Sequence, residues 1–386
     1  MDRTTPDLGL YVHLPFCSSR CGYCDFAVVT DRDRQQAEYI RALLNEAAHW
    51  GGEVDRPMVS LYFGGGTPSR LAIPLWEDLF AGLRQAFECA PEVEITCESN
   101  PESLSSDLLA CWAGLGINRI SLGVQSFQPE YLGLLDRRHS VDDIYLAAEA
   151  IKESGITNWS LDLMYGLPNQ TVREWEDDLN RALSLEPSHI SFYNLILHPN
   201  LPVTKKALDC RSSDFEEVQA KMFLCGIDRL ESAGHEVYEL SNAALPGREC
   251  RHNRLYWLGG EWIGLGLSSA SYYDSRHFKN PGNWDSFMEL AGSANEERRL
   301  IQMNEDAGDR LLDLLMLRLR TAEGLCLSEL DEMSEKTKSS RFMSLYSDLS
   351  DHGYLRSQVG ALALSRSGWL LHSEITRRLY EELKPG

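Results

Sequence analysis

Three cysteines within a short stretch are the side chains best suited to chemistry in this sequence. They form the string Cys17-Ser-Ser-Arg-Cys21-Gly-Tyr-Cys24. Thiolates are the standard ligands of iron–sulfur clusters, and a cubane cluster takes four of them. Three close cysteines with no obvious fourth would leave one iron without a protein ligand, and an open metal position is where a substrate or cofactor can bind. The spacing therefore favours a 4Fe–4S cluster held by Cys17, Cys21 and Cys24.

A zinc site completed by a distant cysteine or histidine is the alternative interpretation of the same string. The sequence has ten cysteines, and the other seven are scattered singly. Buried free thiols of that kind behave as small hydrophobes. A second Cys-x-x-Cys pair, which is typical of structural zinc sites, is missing from the sequence, and this counts against zinc.

A glycine-rich segment, Gly64-Gly65-Gly66-Thr67-Pro68, follows the second predicted strand. Glycines let the backbone approach a ligand closely, and Pro68 fixes the direction in which the chain leaves. The same composition is common in tight turns, so the segment alone is weak evidence of a binding site. Its position after the cysteine loop is what favours a role in ligand binding.

Composition and charge limit the possible functions. The 386 residues are 43% hydrophobic and 25% charged, with a formal net charge of −21. Such a chain has no general attraction to nucleic acid or to anionic lipid. We see no signal or transit peptide and no apolar run of about 18 residues that would span a membrane. We expect a cytoplasmic protein with no integral membrane segment and no nucleic-acid partner.

Short β-rich runs alternate with amphipathic stretches over roughly the first 200 residues. Six such repeats predict a parallel sheet with right-handed crossovers, because parallel neighbours need a long return connection. We expect an α/β fold, a partial (β/α)6 TIM-like barrel rather than an open doubly wound sheet. The predicted strands are 10–14, 59–63, 93–97, 119–124, 159–164 and 190–195, and the predicted helices include 34–50, 76–87, 142–154 and 172–185.

The pattern changes after residue 200, which suggests further domains. We assign 1–235 to the barrel, 236–300 to a connecting region, and 301–386 to a small, mostly α-helical domain of winged-helix type. Within the barrel, Glu98, Gln125 and Asp162 fall at the carboxyl ends of predicted strands, the face that carries the active site in folds of this type. Each of the three could by itself be a structural polar residue.

The cysteine loop just after the first strand resembles that of the radical S-adenosylmethionine (SAM) superfamily. The resemblance implies that the open iron binds the amino and carboxylate groups of SAM. It also implies that an electron, from a donor such as flavodoxin or ferredoxin, cleaves SAM to methionine and a 5′-deoxyadenosyl radical. The glycine segment is similar to the superfamily segment that contacts the amino group of SAM.

Three further strings are similar to a narrower family, the anaerobic coproporphyrinogen III oxidase-like proteins. They are Tyr11-Val-His-Leu-Pro-Phe-Cys17, the stretch from Asp162 to Thr171, and Tyr238-Glu-Leu-Ser-Asn242. The resemblance implies a carboxylate and an amide on the ribose hydroxyls and Arg137 on the cofactor carboxylate. The residues implied to line the SAM pocket are Tyr11, Tyr23, Gly65, Gly66, Thr67, Glu98, Gln125, Arg137 and Asp162.

The family contains the HemW heme chaperones and the oxygen-independent coproporphyrinogen III dehydrogenases. The dehydrogenases carry an N-terminal extension before the cluster and a further cysteine soon after its third ligand. Here the first ligand is at position 17, and Cys24 is followed by Asp25-Phe26. This favours the chaperone branch, which implies delivery of heme to an acceptor protein. The alternative is radical oxidative decarboxylation of porphyrinogen propionates.

The string Arg251-His252-Asn-Arg-Leu-Tyr256-Trp257 is similar to the His-Asn-x-x-Tyr-Trp string associated with heme in the chaperones. It implies His252 as an axial ligand, with Tyr256 and Trp257 as a flat apolar surface. A packed loop is the alternative. Two departures from the family bear on heme transfer and leave the cluster assignment intact: Ala270 stands where a histidine is usual, and His198 where a glutamate is usual.

Overall fold

A twelve-stranded sheet forms the centre of the computed structural model, which describes residues 6–196, 201–205, 214–292, 301–303 and 307–384. Its middle six strands are parallel and neighbour each other in chain order. They are β1 (Leu8–Leu14), β2 (Met58–Gly65), β3 (Cys89–Ser99), β4 (Arg119–Gln125), β5 (Asn158–Tyr165) and β6 (His189–Asn194).

Helices connect these strands. Two of them begin with a capping box, in which Ser140 pairs with Asp143 and Thr171 pairs with Glu174, so the free backbone N–H groups of the first turn are satisfied. The helices are α1 (Gln36–Gly51), α2 (Ile73–Ala86), α3 (Ser106–Leu115), α4 (Pro129–Leu134), α5 (Val141–Glu153) and α6 (Val172–Ser184).

The sequential strand order confirms the partial (β/α)6 barrel, because a doubly wound sheet would reverse its order at a switch point. In the part of the chain that the structure describes, β1 and β6 do not pair with each other. Each is extended by further strands instead. After β6 come α7 (Phe215–Ser232), β7 (Glu236–Glu239), β8 (Asn242–Ala244) and α8 (Arg251–Trp257), and β8 pairs with β6.

The extension at β1 is formed by four strands. The first, β9 (Glu261–Leu265), runs parallel to β1. The others follow it in the chain: β10 (Ala270–Tyr273), β11 (Arg276–Lys279) and, after the helix α9 (Trp284–Gly292), β12 (Ile301–Met303). Strands β7 to β11 all lie in the segment 236–300, for which we predicted a connecting region. That segment therefore supplies strands to both ends of the sheet, and the domain boundaries at 235 and 300 stay a prediction.

The two faces of the parallel strands differ in polarity, as the two-residue period of a strand allows. Leu8, Leu10, Val12 and Leu14 alternate along β1 with Gly9, Tyr11 and His13, and all four belong to the main hydrophobic core. The other face carries polar groups that bond to one another across the barrel interior. Its hydrogen-bonded pairs include Tyr62 with Glu98, Ser121 with Asp162, and Ser160 with His189.

The last part of the chain is mostly helical, as predicted, and includes a two-stranded antiparallel sheet. Its elements are α10 (Ala307–Arg318), β13 (Leu325–Cys326), α11 (Leu327–Met333), α12 (Ser340–Asp351), β14 (Ala361–Leu362), α13 (Arg366–Leu370) and α14 (His372–Leu383). It contacts the barrel side through Arg320, whose Nη2 lies 2.8 Å from Oε2 of Glu239. Among the described helices, none is long and apolar enough to cross a bilayer.

Candidate functional site

A cavity of about 560 Å³ opens at the carboxyl ends of the parallel strands. Its wall combines the cysteine loop after β1, the glycine turn after β2 and the ends of β3 to β6. This is the face on which barrels of parallel strands carry their sites. The volume lies within the range of about 300–1,000 Å³ that is typical of small-molecule pockets.

The three predicted cluster ligands, Cys17, Cys21 and Cys24, all line this cavity. Their loop is held in place by backbone hydrogen bonds, from Cys17 N to Val29 O (2.9 Å) and from Val29 N to Pro15 O (2.8 Å). Among the described lining residues there is no fourth cysteine and no histidine. Among the described lining residues, the structure thus brings together three thiols with no further thiol or imidazole.

The spacing of the thiols bears on the choice between a cluster and zinc. Within the described ranges, no group of three or more Cys, His, Asp or Glu converges so as to hold a single metal ion. Zinc would require its ligands to converge at about 2.0–2.3 Å from one point. In a cubane cluster each thiolate binds its own iron, so three separated thiols on one loop fit a cluster better.

The three thiols are partly buried at the cavity wall. Burial raises the pKa of Cys17 to about 11, and burial also raises the pKa of Cys24. The hydroxyl of Thr67 lies 3.4 Å from Cys17 Sγ, and the guanidinium Nη1 of Arg137 lies 3.8 Å from Cys21 Sγ. Because metal-bound cysteine is a thiolate, metal binding here would displace protons.

Arg137 joins several parts of the cavity wall. Its Nη2 donates to the carbonyl oxygen of Gly123 (2.6 Å) and to Oδ1 of Asn100 (2.8 Å), while Nη1 donates to the hydroxyl of Tyr23 (3.4 Å). Burial by itself would lower the pKa of Arg137, but the neighbouring Tyr23 and Cys21 outweigh burial and raise it. The side chain therefore stays charged and links the ends of β3 and β4 to the cysteine loop.

Two carboxylates face the cavity from β3 and β5. Glu98 accepts hydrogen bonds from the Tyr62 hydroxyl (2.8 Å) and the backbone N–H of Gly65 (3.1 Å), and burial raises its pKa to about 7. Asp162 accepts from the hydroxyl of Ser121 (3.0 Å), and burial raises its pKa too. Buried acids with raised pKa values in a cavity are candidates for ligand binding.

Two residues of the cavity wall, Gly65 and Gln125, have a positive φ. Gly65 has φ +105°, and a Cβ there would lie 2.3 Å from Nδ1 of His13, so the turn after β2 needs glycine. Gln125 has φ 71° at a bulge where the register of β4 against β5 shifts. A positive φ is uncommon for a residue other than glycine, and such residues cluster at functional sites.

Most of the predicted site residues therefore meet in one cavity, but two do not. The residues that line it are Cys17, Cys21, Tyr23, Cys24, Gly65, Gly66, Thr67, Glu98, Gln125, Arg137 and Asp162. Tyr11 is not part of the wall, because its hydroxyl lies 3.0 Å from Nδ1 of His13, inside the barrel. His13 in turn bonds through Nε2 to the carbonyl of Ala27 (2.8 Å), so Tyr11 supports the cysteine loop from below.

His252 is the second predicted residue that lies away from the cavity. It is 1% exposed, its Nδ1 lies 2.8 Å from Ser60 Oγ, and its Nε2 lies 2.7 Å from the Tyr256 hydroxyl. Burial lowers its pKa to about 3. Since both ring nitrogens are hydrogen-bonded inside the barrel, neither can reach a heme iron in this conformation. The expectation that His252 is an axial ligand therefore does not fit the geometry.

The structure describes one of the two departures from the family, Ala270, and not the other, His198. Ala270 is exposed at the start of β10, and its carbonyl accepts a hydrogen bond from Trp262 Nε1 (2.9 Å). His198 lies outside the described residues. Tyr62, Asn100 and Ser121 also line the cavity without having been predicted, although the alternation of polar residues along β2 to β4 places Tyr62 and Ser121 on the interior face.

This barrel, with three cysteines at its mouth, defines a radical SAM protein, and residues 11–182 match the family model of the radical SAM superfamily. The superfamily implies a 4Fe–4S cluster and SAM, and the donor set of this cavity fits both. The sequence is 35% identical to the heme chaperone HemW of Synechocystis sp. over 89% of this chain and 85% of that protein. It is also 33% identical to HemW of Escherichia coli K12, over 82% of this chain and 84% of that protein. The chain belongs to the HemW family.

A solved structure shares the fold. Coproporphyrinogen III oxidase (HemN) from Escherichia coli, which is described as a radical SAM enzyme, superposes with a TM-score of 0.84 over 98% of this chain and 91% of that one. The two sequences are 23% identical. The likeness therefore supports the architecture and carries no conclusion about the reaction.

Proposed function

We propose that this chain is a heme chaperone, which binds a 4Fe–4S cluster, SAM and heme and transfers heme to an acceptor protein. One observation carries the proposal: three thiols, with no fourth thiol or imidazole among the described lining residues, lie in a cavity with two buried carboxylates, in a chain whose relatives are named heme chaperones. We place the protein in the cytoplasm and expect an electron donor such as flavodoxin or ferredoxin.

The residues of the cavity have separate roles in this proposal. Cys17, Cys21 and Cys24 hold three irons and leave the fourth for SAM. Glu98 and Asp162 accept hydrogen bonds from hydroxyl groups of the cofactor, and Gly65 and Gly66 let the backbone come close to it. Arg137 pairs with the cofactor carboxylate and with the charge on Cys21. When bound, the cluster supplies the electron that can cleave SAM.

The test of this proposal is anaerobic reconstitution of the full chain, followed by iron and sulfide analysis and by titration with hemin. We expect roughly four irons per chain, as a cubane requires, and loss of the cluster in Cys21→Ala. Cys111→Ala, at a half-buried thiol on α3, is the matched control and should keep the cluster. Zinc without inorganic sulfide, or a full cluster in Cys21→Ala, would contradict the assignment.

The second candidate is the oxygen-independent coproporphyrinogen III dehydrogenase, the other branch of the family that the cysteine and strand-end strings resemble. The reconstituted protein, supplied with SAM, reductant and coproporphyrinogen III, should then release decarboxylated product and 5′-deoxyadenosine. For a chaperone we expect hemin binding and no decarboxylated product. Product formation at many turnovers per chain would replace the chaperone with the enzyme.

A further inference from the structure

A second cavity, of about 310 Å³, lies between α8, the strands β9 to β11 and the helices α10 and α11. It lies on the side of the chain that carries the Arg251–Trp257 string, and two residues of that string form part of its wall. Its wall combines aromatic residues of α8 and the strands with aliphatic and charged residues of the two helices. This size is at the lower end of small-molecule pockets, which is about 300 Å³.

One wall of the cavity is a series of aromatic rings that ends in an imidazole. The rings of Tyr256 and Trp262 meet edge to face with centroids 4.7 Å apart, and Trp262 and Tyr272 lie 5.5 Å apart. The ring of His277, on β11, follows at 4.5 Å from Tyr272. The rings meet edge to face or tilted, so ring edges and faces together form an apolar wall against which an apolar ligand can pack.

The opposite wall comes from the helices and is amphipathic. Leu314 and Leu317 of α10 supply aliphatic surface, and Met333, at the end of α11, supplies a thioether that is 38% exposed. The charged residues of the lining are confined to this wall. Arg318 is paired with Glu329 at 2.7 Å, and Arg310, Asp313 and Glu332 complete the set.

We propose that this second cavity is the heme site and that His277, rather than His252, supplies the imidazole to the iron. The inference rests on the proposed function. Heme is a planar apolar ring that carries a metal and two carboxylates, and an aromatic wall with an imidazole, facing aliphatic and charged helical residues, offers a surface for each part. Among the described lining residues, His277 is the only histidine.

The proposal gives His252 a different role. Its Nε2 lies 2.7 Å from the hydroxyl of Tyr256, and its ring is buried behind that residue. His252 is therefore a positioning residue, which fixes the orientation of one ring of the aromatic wall. It follows that removing His252 should weaken heme binding without changing the imidazole that binds the iron.

Hemin titration of the full-length protein, followed by the Soret band, tests this assignment. We expect wild type to bind one hemin per chain and His277→Ala to shift the Soret maximum and raise Kd about tenfold or more. Leu314→Trp, which fills the cavity and leaves His277 in place, should also weaken binding. His352→Ala, at an exposed histidine after α12, is the matched control and should bind as wild type does.

The outcomes separate this inference from the proposed function. If wild type fails to bind hemin, the chaperone function falls first. If wild type binds hemin but His277→Ala and Leu314→Trp keep its affinity and spectrum, the second cavity is not the heme site and the proposed function stands. His252→Asn should keep the wild-type Soret maximum with weaker binding, and a changed maximum in this variant alone would restore His252 as the ligand.

Discussion

The imidazole of His252 stacks on the phenol ring of Tyr62, with 5.2 Å between the ring centroids and 23° between the ring planes. The hydroxyl of Tyr62 donates a hydrogen bond to Glu98 in the cofactor cavity. His252 is hydrogen-bonded to Tyr256 in the wall of the second cavity. Four adjacent side chains thus connect the two cavities through the barrel interior. A double-variant cycle on Tyr62 and Tyr256 would measure whether ligand binding in one cavity is coupled to the other.

The first prediction concerns the pH dependence of SAM binding. Glu98 accepts hydrogen bonds best as a carboxylate, and its pKa is about 7, so SAM affinity should fall as the pH drops through 7. The Tyr62 hydroxyl lowers that pKa, so Tyr62→Phe should move the loss of affinity to higher pH. Equilibrium dialysis of reconstituted protein from pH 6 to 9 measures this. An unaltered profile in Glu98→Gln would show that another group titrates.

The second prediction concerns acid stability. His252 has a folded-state pKa of about 3, lowered by burial from 6.5, so folding excludes a proton that the unfolded chain binds below pH 6.5. Its contribution to stability is therefore complete above pH 6.5 and is lost as the pH falls towards 3, by about 1.4 kcal/mol per pH unit. Urea unfolding at pH 6.0, 5.5 and 5.0 should show a slope smaller by about this amount in His252→Asn.

A matched control for His252→Asn is Ser60→Ala. It removes the hydrogen bond to Nδ1 but no titrating group, and it should cost about 1 kcal/mol at every pH without changing the slope. Equal slopes in wild type and His252→Asn would mean that other buried histidines account for the acid lability.

The third prediction concerns the glycine turn. A Cβ at Gly66 would lie 2.5 Å from the carbonyl carbon of Pro15, which is backbone and cannot rotate away. Gly66→Ala should therefore cost about 1–3 kcal/mol of unfolding free energy and displace the cysteine loop, with a lower iron content after reconstitution. Gly133→Ala on α4 is the control, because nothing lies within 4 Å of its Cβ, and it should be neutral or slightly stabilising. Full iron content and stability in Gly66→Ala would refute the argument.

The fourth prediction concerns Arg137. A lysine keeps the positive charge but not the planar fork, so it cannot bond to Gly123 and Asn100 while it also lies beside Cys21. We expect Arg137→Lys to weaken SAM binding by about ten- to hundredfold and to leave the iron content close to wild type. Arg173→Lys, at an exposed position on α6, controls for the exchange of residue type. Loss of cluster with unchanged SAM affinity would reverse the two roles.

The parts of the site that could be predicted from the sequence depend on short stretches of the chain. The cysteine string and the glycine turn are each contained in a few residues, and the polar residues at strand ends follow from the parallel order of the strands. The surroundings of His252 could not be predicted from the sequence, because they are set by distant residues: Ser60, which is hydrogen-bonded to its Nδ1, is 192 residues away in the chain. Strand β9 is only five residues long, and it pairs with β1 although the two strands lie far apart in the sequence. A segment this short has too few residues to show a periodic pattern, so it could not be predicted.

The guanidinium of Arg137 has a consequence for the protein in air. Because one side chain bonds to Asn100 after β3 and to Gly123 near the end of β4, and also lies against the cysteine loop, damage at the iron–sulfur cluster would not stay local. Oxygen that destroys the cluster would leave Arg137 beside the bare thiol of Cys21, and the contact between the strand ends and the cysteine loop would change. We therefore expect oxidised protein to lose SAM binding together with its iron.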